Sequence, residues 1–308
     1  MFRELSLVIQ EVVVLEKNYI QRLENGINLY VYNGIDLIHQ KDKDEYWRLF
    51  ANLLKIYEFH KNQLFCSLIA CNEDIFNIAN VFHTFITNDN FYPYVLYSVD
   101  EFKIEKIISQ YKKDFDKLSS DSGDKLGIKN FLMEPMQRLP RYQMLFSKII
   151  KTLRYSDDSV KSFLTVCCMA EKQLRRLVNT VDQAISLNDL ENYPKFDWQV
   201  GQGNFRKMSK FIVFEHPKDV EYESNVYLFE KSLICTESNP NFNNRLLYRT
   251  HVTLDEIYFI EFLEESKIKI TLCQKKISLS GATENIQEWA TILKSPGKGD
   301  EGNGKFNQ

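Results

Sequence analysis

The sequence predicts a chain of mixed α and β class, in which an all-helical half precedes an antiparallel β half that ends in one capping helix. Three observations predict it. Apolar residues recur every third or fourth position as far as Ile185, as helices require. From Phe205 onward, short segments rich in Val, Ile, Tyr and Phe alternate with turns, as strands require. The length of 308 residues suggests about two domains.

Composition narrows the classes of function. The chain is 44% hydrophobic and 26% charged, and its 39 basic against 42 acidic residues give a net charge of −3. A nucleic-acid partner is not expected without a basic excess. No apolar run reaches about 18 residues, so no membrane-spanning helix is expected. The six cysteines lack metal-binding spacings, which predicts reduced thiols in a cytoplasmic protein without a metal, cofactor or disulfide.

The segment Phe131–Leu153 carries the most information. A helical wheel places six apolar residues on one face: Leu132, Leu139, Phe146, Ile149, Ile150 and Leu153. The opposite face carries Glu134, Gln137, Arg141, Met144 and Lys148. The first face is typical of a core-facing helix, whereas a methionine among exposed charges is unusual.

Two prolines interrupt this segment. Pro135 is expected at a helix start, where a missing N–H costs little. Pro140 is expected to kink the helix at a cost of about 3 kcal/mol. Either this is a kinked helix in an ordinary bundle, or its polar face is presented to a partner.

The first helix is predicted over residues 2–31, and one acidic residue does not fit its apolar stripe. Glu16 falls near the middle of that stripe, between Val12 and Tyr19. A carboxylate in a core is costly unless it is paired. Glu16 therefore either makes a structural salt bridge or faces a cleft and waits for a donor from a partner.

The remaining elements follow in order. Helices are predicted over Trp47–Ile69, Ile75–Phe91, Phe102–Leu118 and Val160–Ile185, with Pro93 breaking the pattern and Ser119–Asp124 forming a loop. The last of these helices exposes Lys172, Arg175 and Arg176. Strands are predicted over Phe205–Glu215, Asn225–Thr236, Arg245–Leu254, Ile257–Leu263, Lys267–Cys273 and Lys275–Ser280, and a helix containing Trp289 follows. The expected organisation is a helical domain (1–187), a linker (188–203), a β domain (204–295) and a disordered tail (296–308).

Motifs for covalent chemistry are missing from the sequence. It contains no phosphate-cradling glycine loop before a helix and no nucleophilic triad. The residues alone therefore favour a binding protein over an enzyme.

A family resemblance now adds to this interpretation. The segment LMEPMQRLPRYQMLFSKIIK at 132–151 resembles the third signature block of Dbl-homology (DH) domains, which are Rho-family guanine nucleotide exchange factors. VIQEVVVLEKNYIQRL (8–23) and LFANLLKIYEFHKNQL (49–64) resemble the first two blocks, and VNTVDQAI (178–185) resembles the end of the final helices. The β half is similar to a pleckstrin-homology (PH) domain, with VYLFEKSLICTE at 226–237 and Trp289 in the matching places.

The resemblance implies an elongated helical bundle that binds the switch regions of a Rho- or Rac-type GTPase and releases GDP by differential binding. Glu16 would accept hydrogen bonds from switch I, while Gln137, Arg141 and Asn179 would contact switch II. Met144 and Lys148 would extend that surface, and Lys172, Arg175 and Arg176 would set the choice of GTPase. Arg138 and Tyr142 leave the polar face and are expected to be structural.

Two departures from the family qualify these expectations. Glu134 stands where the family usually has lysine, so a non-catalytic scaffold that binds a GTPase or another protein is the alternative. The basic residues of the β half (Arg206, Lys207, Lys210 and Lys218) alternate with acidic residues. We therefore expect only weak phosphoinositide binding, with the protein cytoplasmic or recruited to the membrane periphery, and a lipid-binding adaptor is the less favoured alternative.

Overall fold

The computed structural model describes residues 2–154, 161–190, 202–239, 245–263, 266–273 and 275–294. The chain divides into two compact units, residues 1–185 and 186–308. The first is helical and the second is an antiparallel sheet followed by a helix, so the predicted fold class is confirmed.

The helical unit contains eight α-helices among its described residues: α1 (Phe2–Gly26), α2 (Lys43–Phe59), α3 (Phe65–Ala70), α4 (Ile75–Thr87), α5 (Tyr92–Gln110), α6 (Lys112–Ser122), α7 (Gly127–Arg154) and α8 (Lys161–Ala184). Helix α1 continues into a π-helical segment, Ile27–Tyr32, and a second π-helical segment, His60–Leu64, joins α2 to α3. The predicted helices over 2–31 and 47–69 are therefore single rods with a wider turn inside each.

The predicted helix Phe102–Leu118 is wrong, because α5 ends at Gln110 and α6 begins at Lys112. The break is fixed by tertiary contacts of Tyr111, whose hydroxyl donates to Asp42 at 2.6 Å. Pro93 does not break a helix but lies in the first turn of α5, where its missing N–H is not needed. The predicted loop Ser119–Asp124 is also mostly helical, since α6 ends only before Gly123 in a left-handed conformation.

Helix α7 begins eight residues before Pro135 and runs through both prolines. The expectation that Pro135 marks a helix start is therefore wrong. A neighbouring helix supports this region, since the Tyr97 hydroxyl donates to the Leu132 carbonyl at 2.8 Å. The six predicted core residues of α7 are all buried.

The described residues of the second unit form seven strands: β1 (Phe205–His216), β2 (Val220–Phe229), β3 (Ser232–Asn239), β4 (Arg245–Thr253), β5 (Ile257–Leu263), β6 (Lys267–Leu272) and β7 (Lys276–Ser280). They form one antiparallel sheet in the order β4-β3-β2-β1-β7-β6-β5. Both halves of the sheet contribute to a single core that also takes Ile286 and Trp289 from α9 (Thr283–Lys294). The sheet therefore curves around this core and is capped by α9.

The predicted strand Asn225–Thr236 is in fact a hairpin. The turn falls at Glu230 and Lys231, whose N–H groups donate to the carbonyls of Asn204 and Gln202 at 3.0 Å each. No glycine or proline announces this turn, so the apolar pattern alone merged β2 with β3.

Candidate functional site

Helices α1 and α7 lie side by side and run in opposite directions. Glu11 contacts Lys148, and further along α1 Arg22 contacts Glu134. As the residue number rises on α1 it falls on α7, which defines the antiparallel register.

Each of these helices carries on its outward side a stripe of residues at spacings of three and four, all exposed except the partly buried Glu134. On α7 the stripe is Glu134, Gln137, Arg141, Met144 and Lys148; on α1 it is Leu7, Glu11, Val14, Asn18 and Arg22. At 100° per residue each set spans an arc of about 80°. We call these ten residues the α1–α7 surface.

Four of the five residues of the α7 stripe are accessible, as the wheel predicted, whereas the Glu134 side chain is 15% exposed. Met144 is 70% exposed, and Gln137, Arg141 and Lys148 are exposed as well. Arg141 lies 3.5 Å from the Gln137 side-chain oxygen. These donors are therefore available to a partner molecule.

Both ends of the surface carry an ion pair between the helices. Lys148 Nζ lies 3.5 Å from Glu11 Oε2, and Arg22 Nε lies 3.0 Å from Glu134 Oε2. The acidic residue at position 134 is thus balanced by a basic residue on α1. The charge reversal noted in the sequence is compensated locally.

Glu16 does not belong to this accessible surface. Its side chain is fully buried, and Oε2 accepts hydrogen bonds from Arg138 Nη2 at 2.7 Å and from the Tyr142 hydroxyl. Oε1 faces His60 Nδ1. Of the two interpretations of Glu16, this geometry favours the structural salt bridge, and Arg138 and Tyr142 are buried as expected.

The buried network continues away from the carboxylate. His60 Nε2 lies 2.7 Å from the Tyr94 hydroxyl, which in turn lies 3.1 Å from the Tyr19 hydroxyl. The Arg138 guanidinium is stacked between the rings of Tyr19 and Tyr142, at 4.9 Å and 4.4 Å from their centroids. Side chains from α1, α5, α7 and the π-helical segment at His60 are thereby held together directly beneath the α1–α7 surface.

The electrostatics favour a charged Glu16 despite its burial. Desolvation alone would raise the pKa of this carboxyl group, but His60, Arg138 and the hydrogen bond from Tyr142 together lower it from 4.5 to about 2. Burial alone would lower the pKa of Arg138. The neighbouring Tyr142 and Glu16 outweigh this effect, so the pKa of Arg138 is raised. The pair is therefore a buried ion pair of the kind that is strongly destabilised when one member is removed.

Helix α8 packs against α7 and exposes a stripe of its own, formed by Lys172, Arg175, Arg176 and Asn179. The hydroxyls of Tyr97 and Ser98 on α5 donate to the carbonyls of Leu132 on α7 and Val181 on α8. Gln137 and Asn179 therefore lie toward the same end of the two packed helices. Arg175 makes an ion pair with Glu171 of its own helix at 2.6 Å. The structure thus places the α8 candidates on a helix adjacent to α7.

Sequence reasoning missed the α1 half of the surface. Glu11, Val14 and Arg22 lie outside the apolar stripe that defined the first helix. They become part of a candidate surface only because α7 packs beside α1. The signal available in the sequence was the pair of large apolar residues, Leu7 and Val14, outside the core-facing stripe of α1.

The basic residues proposed for lipid binding in the second unit are mostly paired. Arg206 contacts Glu230, Lys207 contacts Glu288, and Lys218 lies 3.8 Å from Glu215. Lys210 is exposed. A different set lies around the turn at His216, where Lys269, Lys275 and Lys276 line a shallow cleft.

In the described part of the chain, no group of three or more His, Cys, Asp or Glu side chains is placed to hold a metal ion. Within the same residues, no helix is long and apolar enough to cross a membrane.

The fold defines a class: a helical unit with an accessible polar face, followed by a PH-like β unit. The RhoGEF domain family matches residues 8–197, more than half of the chain. The chain therefore belongs to the RhoGEF domain family.

Relatives and solved structures agree with this assignment. The chain is 24% identical over 277 residues to human pleckstrin homology domain-containing family G member 3, covering 85% of this chain and 22% of that protein. It is 21% identical over 300 residues to the RhoGEF domain-containing protein gxcH of Dictyostelium discoideum, covering 90% and 31%. The chain thus spans less than a third of the length of either relative.

A solved structure shares the fold. The DH/PH fragment of PDZRHOGEF, determined in complex with human RhoA, matches with a TM-score of 0.50 and 17% identity, covering 93% of this chain and 92% of that one. The predicted fold, a helical unit followed by a PH-like β unit, is thereby confirmed.

Proposed function

We propose that the chain is a guanine nucleotide exchange factor for a Rho- or Rac-type GTPase. The observation that carries the proposal is the exposed α7 stripe, with Gln137 and Arg141 at its centre and a buried ion pair beneath it. Family membership supports the proposal, as does the solved complex of a protein of similar fold with RhoA.

The mechanism is differential binding. The surface binds the nucleotide-free GTPase more tightly than the nucleotide-bound form, so that GDP leaves and GTP enters. No covalent step is needed. Gln137 and Arg141 supply hydrogen-bond donors to the switch segments, and Asn179, Lys172, Arg175 and Arg176 extend the contact along α8.

The acidic acceptor for the partner is Glu11 in this proposal, and not Glu16. Glu11 is 45% exposed and is held only by a 3.5 Å ion pair with Lys148 at the surface. A donor on the GTPase can exchange with such a pair at little cost, because surface ion pairs contribute at most about 1 kcal/mol. Glu16 supports the site from inside by fixing Arg138.

The first test is release of fluorescent GDP from a panel of Rho, Rac and Cdc42-type GTPases. The wild-type chain should accelerate release from at least one of them, and Arg141→Glu should abolish the acceleration. Lys129→Glu is the matched control. It changes the charge by the same amount at an exposed position of α7 that lies outside the stripe. Equal loss in both variants would contradict a role of the stripe itself.

A scaffold that binds a GTPase without releasing nucleotide is the second candidate. The reason to consider a scaffold was the acidic residue at position 134, where the family usually has lysine. The ion pair of Glu134 with Arg22 weakens this reason, because it balances the reversed charge. A pull-down with nucleotide-free and GDP-bound GTPase separates the two functions. Equal binding of both forms, without release, would favour the scaffold.

For the second unit we propose only weak contact with phosphoinositides. Arg206, Lys207 and Lys218 each lie beside a carboxylate, so the four candidate donors do not form a purely basic cluster, and clustered donors are what anionic headgroups require. Sedimentation with vesicles that contain phosphatidylinositol bisphosphate tests this. Strong and specific binding would contradict it and would favour recruitment of a cytoplasmic protein to the membrane periphery.

A further inference from the structure

Two large apolar side chains are exposed at the middle of the α1–α7 surface. Val14 is 57% exposed and Met144 is 70% exposed. Both stand in stripes that are otherwise polar or charged, apart from Leu7 near the start of α1. Isolated exposed apolar residues are ordinary, so the question is whether these two lie together.

The contacts between the helices place them at the same level. On α1, Val14 falls between Glu11 and Glu16; on α7, Met144 falls between Tyr142 and Lys148. Glu11 contacts Lys148, and Glu16 contacts Tyr142. In the antiparallel register Val14 therefore lies at the same level as Met144 on the neighbouring helix, and both side chains face solvent at that level.

Polar groups surround this apolar pair along both stripes. The Glu11–Lys148 ion pair lies on one side, and Asn18, Gln137 and Arg141 lie on the other. An apolar centre inside a polar rim is the usual layout of an energetic hot spot in a protein interface. Continuity with the stripe that carries the proposed function indicates which partner covers it.

We propose that Val14 and Met144 together form the apolar anchor of this interface, and that they receive one aliphatic or aromatic side chain from a switch segment of the partner GTPase. The anchor selects GTPases that carry such a side chain at this level. This inference rests on the proposed function and names the determinant of specificity within its surface.

The experiment measures GDP release at increasing GTPase concentration for Val14→Ser, Met144→Ser and the double variant. Each single variant should lower kcat/KM by about tenfold, as truncation of a hot-spot residue does. The double variant should lose less than the product of the two single effects, because both residues contact the same partner side chain. Val14→Ile and Met144→Leu should keep activity close to wild type.

Two control variants have matched exposure. Phe102→Ser on α5 and Leu126→Ser before α7 replace side chains that are 68% and 71% exposed and lie outside the surface. Both should leave release unchanged, and thermal unfolding should be unaffected in all the serine variants because the replaced side chains are largely exposed.

The outcomes distinguish the two claims. If Arg141→Glu abolishes release while Val14→Ser and Met144→Ser keep wild-type kcat/KM, the anchor is wrong and the proposed function stands. Strictly multiplicative single effects would overturn a shared contact. If the wild-type chain releases GDP from no GTPase of the panel, the proposed function fails and the anchor fails with it.

Discussion

The Glu16 carboxylate on α1 lies 2.7 Å from the Arg138 guanidinium on α7, and their side chains are 0% and 1% exposed. This ion pair ties together the two helices whose outer stripes form the candidate interface. Arg138 directly follows Gln137 in the chain and is one turn from Arg141, so the buried pair holds in place the turn of α7 that carries the two exposed donors.

Replacing Arg138 alone should be strongly destabilising. Arg138→Met leaves Glu16 charged and buried with only His60 and Tyr142 as partners, which should cost about 3–5 kcal/mol. The double variant Glu16→Met/Arg138→Met removes both charges and should recover most of that loss. Urea unfolding of the helical unit, followed by circular dichroism, measures both effects.

The double variant also tests the role of Glu16 in exchange. If Glu16 and Arg138 act only by holding α1 and α7 together, GDP release should recover together with stability. Recovery of stability without recovery of release would show that Glu16 or Arg138 contributes to exchange beyond its effect on stability. Lys61→Met is the control, because it breaks an ion pair of α1 that lies outside the α1–α7 surface and should cost less than about 1 kcal/mol.

The stability of the helical unit should depend on pH through Glu16. Its pKa is lowered from 4.5 to about 2. A group with a depressed pKa in the folded state stabilises that state above its unfolded pKa and loses this contribution as the pH falls toward the folded value. The contribution should therefore be complete above pH 4.5 and fade toward pH 2.

The size of this effect follows from the shift. One pKa unit corresponds to about 1.4 kcal/mol, so the contribution is about 3 kcal/mol. The free energy of unfolding should differ between wild type and Glu16→Gln by about that amount at pH near 7, and the difference should shrink in acid. A difference that stays constant from neutral to acid pH would show that the charge of Glu16 is not the cause.

The sequence predicted the two faces of α7 but not its extent. Alternation of apolar and polar residues at helical spacing placed Leu139 in the core and Arg141 outside it, because burial follows the wheel. The start of α7 was missed because Pro135 resembles a helix-start signal, and only tertiary packing shows that the helix continues through it.

The partners of Glu16 needed the structure. Its burial follows from the stripe of α1, but Arg138 is 122 positions away in the chain and His60 is 44 away. Pairing over such separations is set by the packing of helices and leaves no local pattern. For the same reason the ion pair of Arg22 with Glu134 was not foreseen, although residue 134 itself was recognised as unusual.

The Arg22–Glu134 pair should be replaceable by its reverse. Glu134→Lys alone places two cations together and should weaken GDP release several-fold through repulsion at the end of the surface. The variant Arg22→Glu/Glu134→Lys restores an ion pair and should recover release. Stability should change by about 1 kcal/mol or less in the double variant, because the pair is restored and Arg22 is 48% exposed; the single variant should cost more, because the Glu134 side chain is 15% exposed.

An equivalent reversal elsewhere provides the control for this experiment. Glu24 and Lys61 form a 2.8 Å ion pair on another side of α1. The variant Glu24→Lys creates similar repulsion and should leave GDP release unchanged. If it reduces release as much as Glu134→Lys does, the effect comes from general destabilisation and not from the α1–α7 surface.

Gly26, the last residue of α1, should not tolerate alanine. A Cβ atom built there lies 2.1 Å from the ring of Phe131 on α7, so the two helices can approach only because the side chain is missing. Helix propensity alone would make Gly26→Ala favourable by about 1 kcal/mol. The Phe131 ring also packs on Tyr30 and has little room to move. Overpacking costs about 1–3 kcal/mol, so it should outweigh the gain in helix propensity and give a net destabilisation.

Thermal unfolding of three variants isolates this contact. Asn25→Ala, at the exposed neighbouring position, should leave stability within about 0.5 kcal/mol of wild type. Adding Gly26→Ala to Phe131→Leu should lower the unfolding temperature less than adding it to wild type does, because the smaller leucine makes room for the methyl group. If Gly26→Ala is instead stabilising in the wild-type background, the close approach of α1 and α7 at this position is wrong.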